Sequence, residues 1–149
     1  MTKPLASSKN PSAEKAYNSL LRRITRRDLS EKEIWQKLTP YYTDDAITAA
    51  LSKAKDYNLL KSGEELATRW AQDLNRRGKG ELYIRQSLKN RGLPIPDLDE
   101  NVEIDKCRSQ IEKKWGQVAK FTFEERAKVF RYLTNRGFQP ETIKKALNK

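Results

Sequence analysis

Ile84-Arg-Gln-Ser-Leu88-Lys-Asn-Arg-Gly92-Leu93 returns 45 residues later as Val129-Phe-Arg-Tyr-Leu133-Thr-Asn-Arg-Gly137-Phe138. The apolar positions of the first stretch are apolar again in the second, and Asn-Arg-Gly stands at the same place in both. Leu98 and Val102 precede Ile143 and Leu147 by the same 45 residues. A fixed period of this size is the mark of a chain built from repeated supersecondary units. A weaker, earlier copy runs through Ile34, Leu38, Tyr42, Ile47 and Leu51, with Pro40-Tyr41 in place of the Asn-Arg-Gly turn. Within each copy the apolar residues recur at steps of three and four, the spacing of one helix face. No segment alternates apolar and polar residues as a strand would. The expected fold is therefore all-α: three tandem three-helix repeats over residues 12–60, 61–103 and 104–149, after a disordered tail over residues 1–11. Three short helices bury little by themselves, so the repeats are expected to stack into a curved, elongated array.

Start and stop signals place nine helices. Ala13, Ala16, Tyr17, Leu20, Leu21 and Ile24 form the stripe of a first helix from about Ser12 to Arg27. Ser30-Glu-Lys-Glu33 is a capping box, in which a hydroxyl and a carboxylate satisfy the free amides at a helix start. Ile34, Trp35 and Leu38 follow it, and Pro40 ends that second helix. Thr43 caps a third, carrying Ile47, Ala50, Leu51 and Ala54. Ser62-Gly-Glu-Glu65 opens a fourth through Leu66, Trp70 and Leu74, broken by Gly78-Lys-Gly80. The fifth holds Leu82, Ile84 and Leu88 and stops at Gly92. Leu93-Pro-Ile-Pro96 is a stiff connector to a short sixth helix with Leu98 and Val102, and a seventh runs from Ile104 to Trp115. Thr122-Phe-Glu-Glu125 opens the eighth, and Pro140 sits in the first turn of the ninth. The tryptophans lie on apolar stripes and read as packing residues.

The composition narrows function by exclusion. The 149 residues carry 31 Lys and Arg against 20 Asp and Glu, a net charge of +11, and the mean hydropathy is -0.92. Such a surplus favours a polyanion or an acidic protein surface as partner. Cys107 is the single cysteine and there is no histidine. Cys107 therefore has no disulfide partner in the chain and no imidazole base, and reads as a half-buried helix residue. A zinc site lacks its ligands. Gly78-Lys-Gly80 lacks the spacing and the Ser/Thr of a phosphate loop. The acid pairs Asp44-Asp45, Glu64-Glu65 and Glu124-Glu125 all sit in first helical turns, where the helix dipole favours them. No enzyme, cofactor or metal is expected. The N-terminal stretch has no apolar core of a signal peptide, and no apolar run approaches the roughly 18 residues of a membrane span. A cytoplasmic monomer is the expected state.

The basic residues form the one functional constellation. Arg22, Arg23, Arg26 and Arg27 close the first helix, Arg76, Arg77 and Lys79 the fourth, and Lys113 and Lys114 the seventh. Cations at a helix C-terminus complement its dipole, and for one cluster that explanation suffices. Three clusters in register on stacked repeats are expected to line one basic face, joined by Arg85, Lys89 and Arg131. Glycine in the Asn-Arg-Gly turns serves the left-handed helix cap. Arg91 and Arg136 are not needed for that cap and are candidates for the same face.

Several of these stretches, in this order, resemble the RecX family. Leu29-Ser-Glu-Lys-Glu-Ile-Trp-Gln-Lys-Leu38 is similar to its Ser-x-x-Glu-Leu-x-x-Lys-Leu helix behind an Arg-rich first helix. Leu66 through Arg77-Gly-Lys-Gly80, then Ile84-Arg-Gln-Ser-Leu88 and Gly92, resembles its central signature. Lys114-Trp-Gly116, Lys128 to Leu133 and Arg136-Gly-Phe138 resemble its third repeat. The likeness extends over about residues 13 to 147. Departures are local: Glu81 stands where the family usually has proline, and Lys61-Ser-Gly-Glu-Glu-Leu66 is one residue longer than the usual entry to the fourth helix. The resemblance implies a non-enzymatic modulator that binds the filament of RecA recombinase on single-stranded DNA, in its groove or at its end. It would restrain recombination, ATP hydrolysis and the coprotease activity of the SOS response, with weak direct DNA binding alongside. The competing reading is a direct DNA-binding protein that uses its repeats as helix-turn-helix-like readers.

Overall fold

Capping chemistry sets the helix boundaries in the computed structural model, which describes residues 8–148. Eight α-helices are found among them: α1 (Ala13–Arg26), α2 (Glu31–Leu38), α3 (Asp44–Asp56), α4 (Gly63–Arg76), α5 (Glu81–Asn90), α6 (Glu100–Lys114), α7 (Phe123–Asn135) and α8 (Pro140–Leu147). Ser30 with Glu33, and Thr122 with Glu125, form complete capping boxes at the starts of α2 and α7. Ser12, Thr43 and Ser62 each accept from the amide three residues on, at α1, α3 and α4. Each such cap contributes about 1 kcal/mol.

The chain divides into two compact units: one built from the residues up to Leu66 together with Arg91–Leu93, the other from Ala67–Asn90 and from Pro94 onward. In the first unit α1 and α3 pack on each other. Ala16, Ala46 and Ala50 meet there, and their small side chains let the two backbones approach closely. The rest of that core is Leu20, Leu29, Ile34, Leu38, Ile47, Leu51 and Ala54. In the second unit α8 packs on α6 and α7 around Cys107, Ile111, Val129, Leu133, Phe138 and Ile143, all fully buried. The fold is all-α with repeated three-helix blocks, α1–α3 and α6–α8 being complete and α4–α5 abridged.

The abridged block corrects two expectations. No separate sixth helix exists around Leu98 and Val102; residues 93–99 have no regular structure, and the helix expected to begin at Ile104 begins at Glu100. Pro94 and Pro96 withhold two amides and favour extended backbone, while Asp99 accepts from the Asn101 amide and so fixes the helix start behind it. Val102 is consequently exposed, whereas Leu147, its expected counterpart in period, is buried. The expected tail over residues 1–11 lies outside the described residues up to residue 7. Beyond it, Asn10 is held in place: its amide donates to the Tyr41 carbonyl (2.9 Å) and its carbonyl accepts from the Thr43 amide (3.0 Å).

Both Asn-Arg-Gly turns end a helix on a left-handed glycine, Gly92 at φ +70° and Gly137 at φ +93°. Each turn docks on the start of an earlier helix. The Arg91 carbonyl accepts from the Ser30 hydroxyl at the head of α2 (2.5 Å). The Arg136 and Gly137 carbonyls accept from the Gly80 and Leu82 amides at the head of α5 (2.8 and 2.7 Å). A helix start has unpaired amides and a left-handed turn has outward carbonyls, so the two ends complete each other. Gly80 belongs to this junction by close approach, since a Cβ on it would lie 2.4 Å from the Gly137 carbonyl carbon.

Candidate interaction surface

The first basic cluster lies in the first unit, at the end of α1. Arg22 and Arg26 are exposed. Arg23 donates through Nε to the Ser19 hydroxyl (3.4 Å), and Arg27 pairs with Glu33 (3.2 Å). Arg91 also closes on Glu33, its Nη2 2.8 Å and its Nε 3.2 Å from Oε1. Both partners of that pair are largely buried. Burial raises the pKa of Glu33, but the Ser30 amide, Arg91 and Arg27 together outweigh it and hold the carboxyl below its ordinary value.

The second and third clusters lie in the other unit, and the structure brings them together. Arg76 and Arg77 flank Asp73 at 3.5 and 3.1 Å with their guanidiniums largely in solvent, so these ion pairs contribute little stability. Lys79 lies over the Tyr83 ring, 4.8 Å from its centre. Arg136 reaches the same turn: Nη2 donates to the Arg77 carbonyl (2.6 Å) and Nε to the Gly78 carbonyl (3.3 Å). The Arg136 guanidinium also faces the Tyr132 ring at 5.7 Å. Lys114 lies over that ring at 3.9 Å and over Trp115 at 5.0 Å, and the two rings meet edge to face at 5.2 Å. Arg76, Arg77, Arg136, Tyr132, Lys114 and Trp115 thus form a continuous strip of cations and aromatic faces. Lys113 is exposed one residue before Lys114. Arg85 pairs with Glu81 along α5 (2.9 Å), and Lys89 and Arg131 stand exposed on α5 and α7.

Three polar residues of α6 escaped the sequence reading and are central here. Gln110 donates to the Gly78 carbonyl (2.7 Å), and Lys106 donates to the Lys79 carbonyl (2.9 Å) and to Asn75 Oδ1 (2.5 Å). Glu103, 2% exposed, pairs with Lys106 at 2.5 Å. Burial raises the Glu103 pKa, and Lys106 only partly reverses it. Positions 103, 106 and 110 share one helix face beside the apolar stripe of Ile104, Cys107 and Ile111. That spacing was the available signal, but charged and amide residues at such positions ordinarily read as solvated.

Cys107 is completely buried rather than half-buried, and burial, aided by the Glu103 charge, pushes its thiol up to about 12. Among the described residues no group of three or more His, Cys, Asp or Glu is placed to hold a metal, and no helix is long and apolar enough to cross a membrane. The strip instead presents fixed positive charge with aromatic backing, a surface suited to phosphate or carboxylate groups.

Known proteins share both the sequence and the fold. The family model of the first three-helix domain of RecX matches residues 16–53, and that of the third three-helix domain matches residues 101–147. The regulatory protein RecX of Legionella pneumophila (strain Corby) is 31% identical over 148 residues, covering 91% of this chain and 94% of its own. That of Cronobacter sakazakii is 31% identical over 149 residues, covering 86% and 90%. The crystal structure of RecX from Lactobacillus salivarius superposes with a TM-score of 0.76 across 97% of both chains, at 19% identity. A second crystal structure, of a regulatory protein RecX, gives 0.74 over 92% of this chain. Matching domains in the expected order, relatives covered along nearly their whole length and a common fold lead to one conclusion: this chain belongs to the RecX family of regulatory proteins.

Proposed function

We propose that this protein restrains RecA recombinase by binding the RecA filament on single-stranded DNA, in its groove or at its end, without chemistry of its own. Recombination, filament ATP hydrolysis and SOS coprotease activity would fall together. The observation that supports this reading is the strip from Arg76 and Arg77 through Arg136 to Lys114, where two clusters far apart in sequence meet with aromatic support. A charged surface of this kind can engage acidic protein surface and DNA phosphate at once. Arg22 and Arg26 in the first unit, and Lys89, Lys113 and Arg131 in the second, are exposed as well.

The test is single-stranded-DNA-dependent ATP hydrolysis by the cognate RecA, titrated with this protein well below the DNA concentration. Strong inhibition at that ratio supports filament binding, because so little protein cannot coat the bare DNA. Unchanged hydrolysis, together with tight and salt-sensitive binding to naked DNA, would replace the proposal with a direct DNA-binding role. Reversing the charge at Arg76, Arg77 and Lys79 together is expected to weaken inhibition at unchanged helicity by circular dichroism.

A further inference from the structure

We infer that Gln110 and Arg136 are positioning residues, holding the Arg76–Lys79 turn rigid for its partner. The inference rests on the reading of that turn as partner-facing. The carbonyls of the turn just past a helix end have no intrahelical partner and lie at the negative end of the helix dipole. In a turn that is to meet phosphates or carboxylates they oppose the ligand. Here three consecutive carbonyls are answered by side chains from elsewhere in the same unit: Arg77 by Arg136, Gly78 by Gln110 and Arg136, Lys79 by Lys106. Gly78 makes room for the donors, since a Cβ on it would lie 2.8 Å from Gln110 Nε2 and 3.3 Å from Arg136 Nη2. The adjoining guanidiniums of Arg76 and Arg77 remain largely in solvent. The backbone is thus immobilised and its opposing dipoles neutralised before the partner arrives, which lowers the ordering cost of binding.

Two substitutions isolate this role. Gln110→Leu removes a donor at similar volume. Arg136→Lys keeps the positive charge, but one ammonium cannot reproduce a fork spanning two carbonyls. In the double variant, amide hydrogen exchange over residues 76–82 is expected to quicken about tenfold, the worth of one hydrogen bond, with exchange elsewhere unchanged. The concentration for half-inhibition of RecA ATP hydrolysis should rise about three- to tenfold for the same reason. In a background of Arg76→Ala, Arg77→Ala and Lys79→Ala the double variant should add nothing, because no cation is left to position. Unchanged exchange over 76–82 overturns the inference, as does the same further loss of inhibition in the alanine background, which marks general destabilisation. If the alanine background inhibits as well as the parent, the partner-facing reading itself fails. If that background is impaired while the double variant inhibits normally, positioning alone fails.

Discussion

The turns at Asn90-Arg91-Gly92 and Asn135-Arg136-Gly137 have the same three residues, the same left-handed glycine and a fully buried leucine four residues before it. Their arginines nevertheless close on different principal partners. Arg91 closes on a carboxylate, Glu33, within the capping box that starts α2. Arg136 closes on main-chain carbonyls in the turn just past α4, beside the negative end of the helix dipole, where no acid is needed. The head of α2 has a hydroxyl, Ser30, to give the incoming turn, while the head of α5 has only amides. Local sequence therefore fixes the shape of a turn, and the element on which it docks fixes what its side chain does.

The comparison is open to measurement, beginning with what the two turns share. Leu88→Ala and Leu133→Ala each remove a fully buried side chain and should each cost about 2–5 kcal/mol in chemical denaturation. A large inequality between them would mean that the two repeats do not weigh equally in the fold. The glycines are expected to differ. A Cβ on Gly137 would meet the Tyr83 amide nitrogen at 2.7 Å and its Cβ at 2.5 Å, whereas one on Gly92 would meet side-chain carbons alone, Lys32 Cβ and Cδ at 2.8 Å. Gly137→Ala should therefore cost about 3 kcal/mol from strain and overpacking. Gly92→Ala, strained but meeting no backbone atom, should cost less, about 1–2 kcal/mol, and equal losses would break the contrast.

Smaller effects separate the acids behind the two turns. Glu33→Gln should cost about 1–2 kcal/mol at neutral pH, the value of a charge-assisted hydrogen bond that is partly screened. The Glu33 pKa is lowered on folding, so its contribution is present above the unfolded value, about 4.3, and is lost as pH falls through the folded one. Glu103 has the opposite sign. Its pKa is raised on folding, so its contribution is greatest below about 4.3 and is lost as pH rises through the folded value. In denaturation measured across pH 2–7 (the range that spans both about-4.3 references), Glu33→Gln should flatten the acid side of the profile and Glu103→Gln the side above it. A common slope change in both variants would contradict the different surroundings of the two carboxyls.

Much of the fold was legible because its signals are local. Ser30 with Glu33, Thr122 with Glu125, Pro140 at a helix start and the two Asn-Arg-Gly stops each act over four or five residues, and all stand where expected. The extra helix at Leu98 was an error of periodicity. The 45-residue offset places Leu98 and Val102 opposite Ile143 and Leu147, but Pro94, Pro96 and the Asp99 cap override it. The candidate surface was legible only in its charges. Arg76, Arg77, Lys79 and Lys114 stand out in the sequence, whereas the side chains that organise them, Lys106, Gln110 and Glu103, depend on a long-range approach of α6 to the end of α4. Arg91 and Arg136 stood out for the same charge, and only the fold reveals their intramolecular partners.

The docking of each turn on an earlier helix start has a consequence for the order in which the protein can be completed as it is made. Ser30 meets its acceptor 61 residues later in the chain, and Gly80 meets Arg136 after a similar interval. At about 5–20 residues per second of synthesis, each of these helix heads faces water for several seconds before the segment that finishes it emerges. During that interval α2 relies on its own capping box, a self-contained device. The head of α5 has Gly80 instead, and the Gly80 and Leu82 amides stay open until the turn after α7 has emerged. The head of α5 is thus made long before it can be completed, and α2 is spared that wait by its own cap.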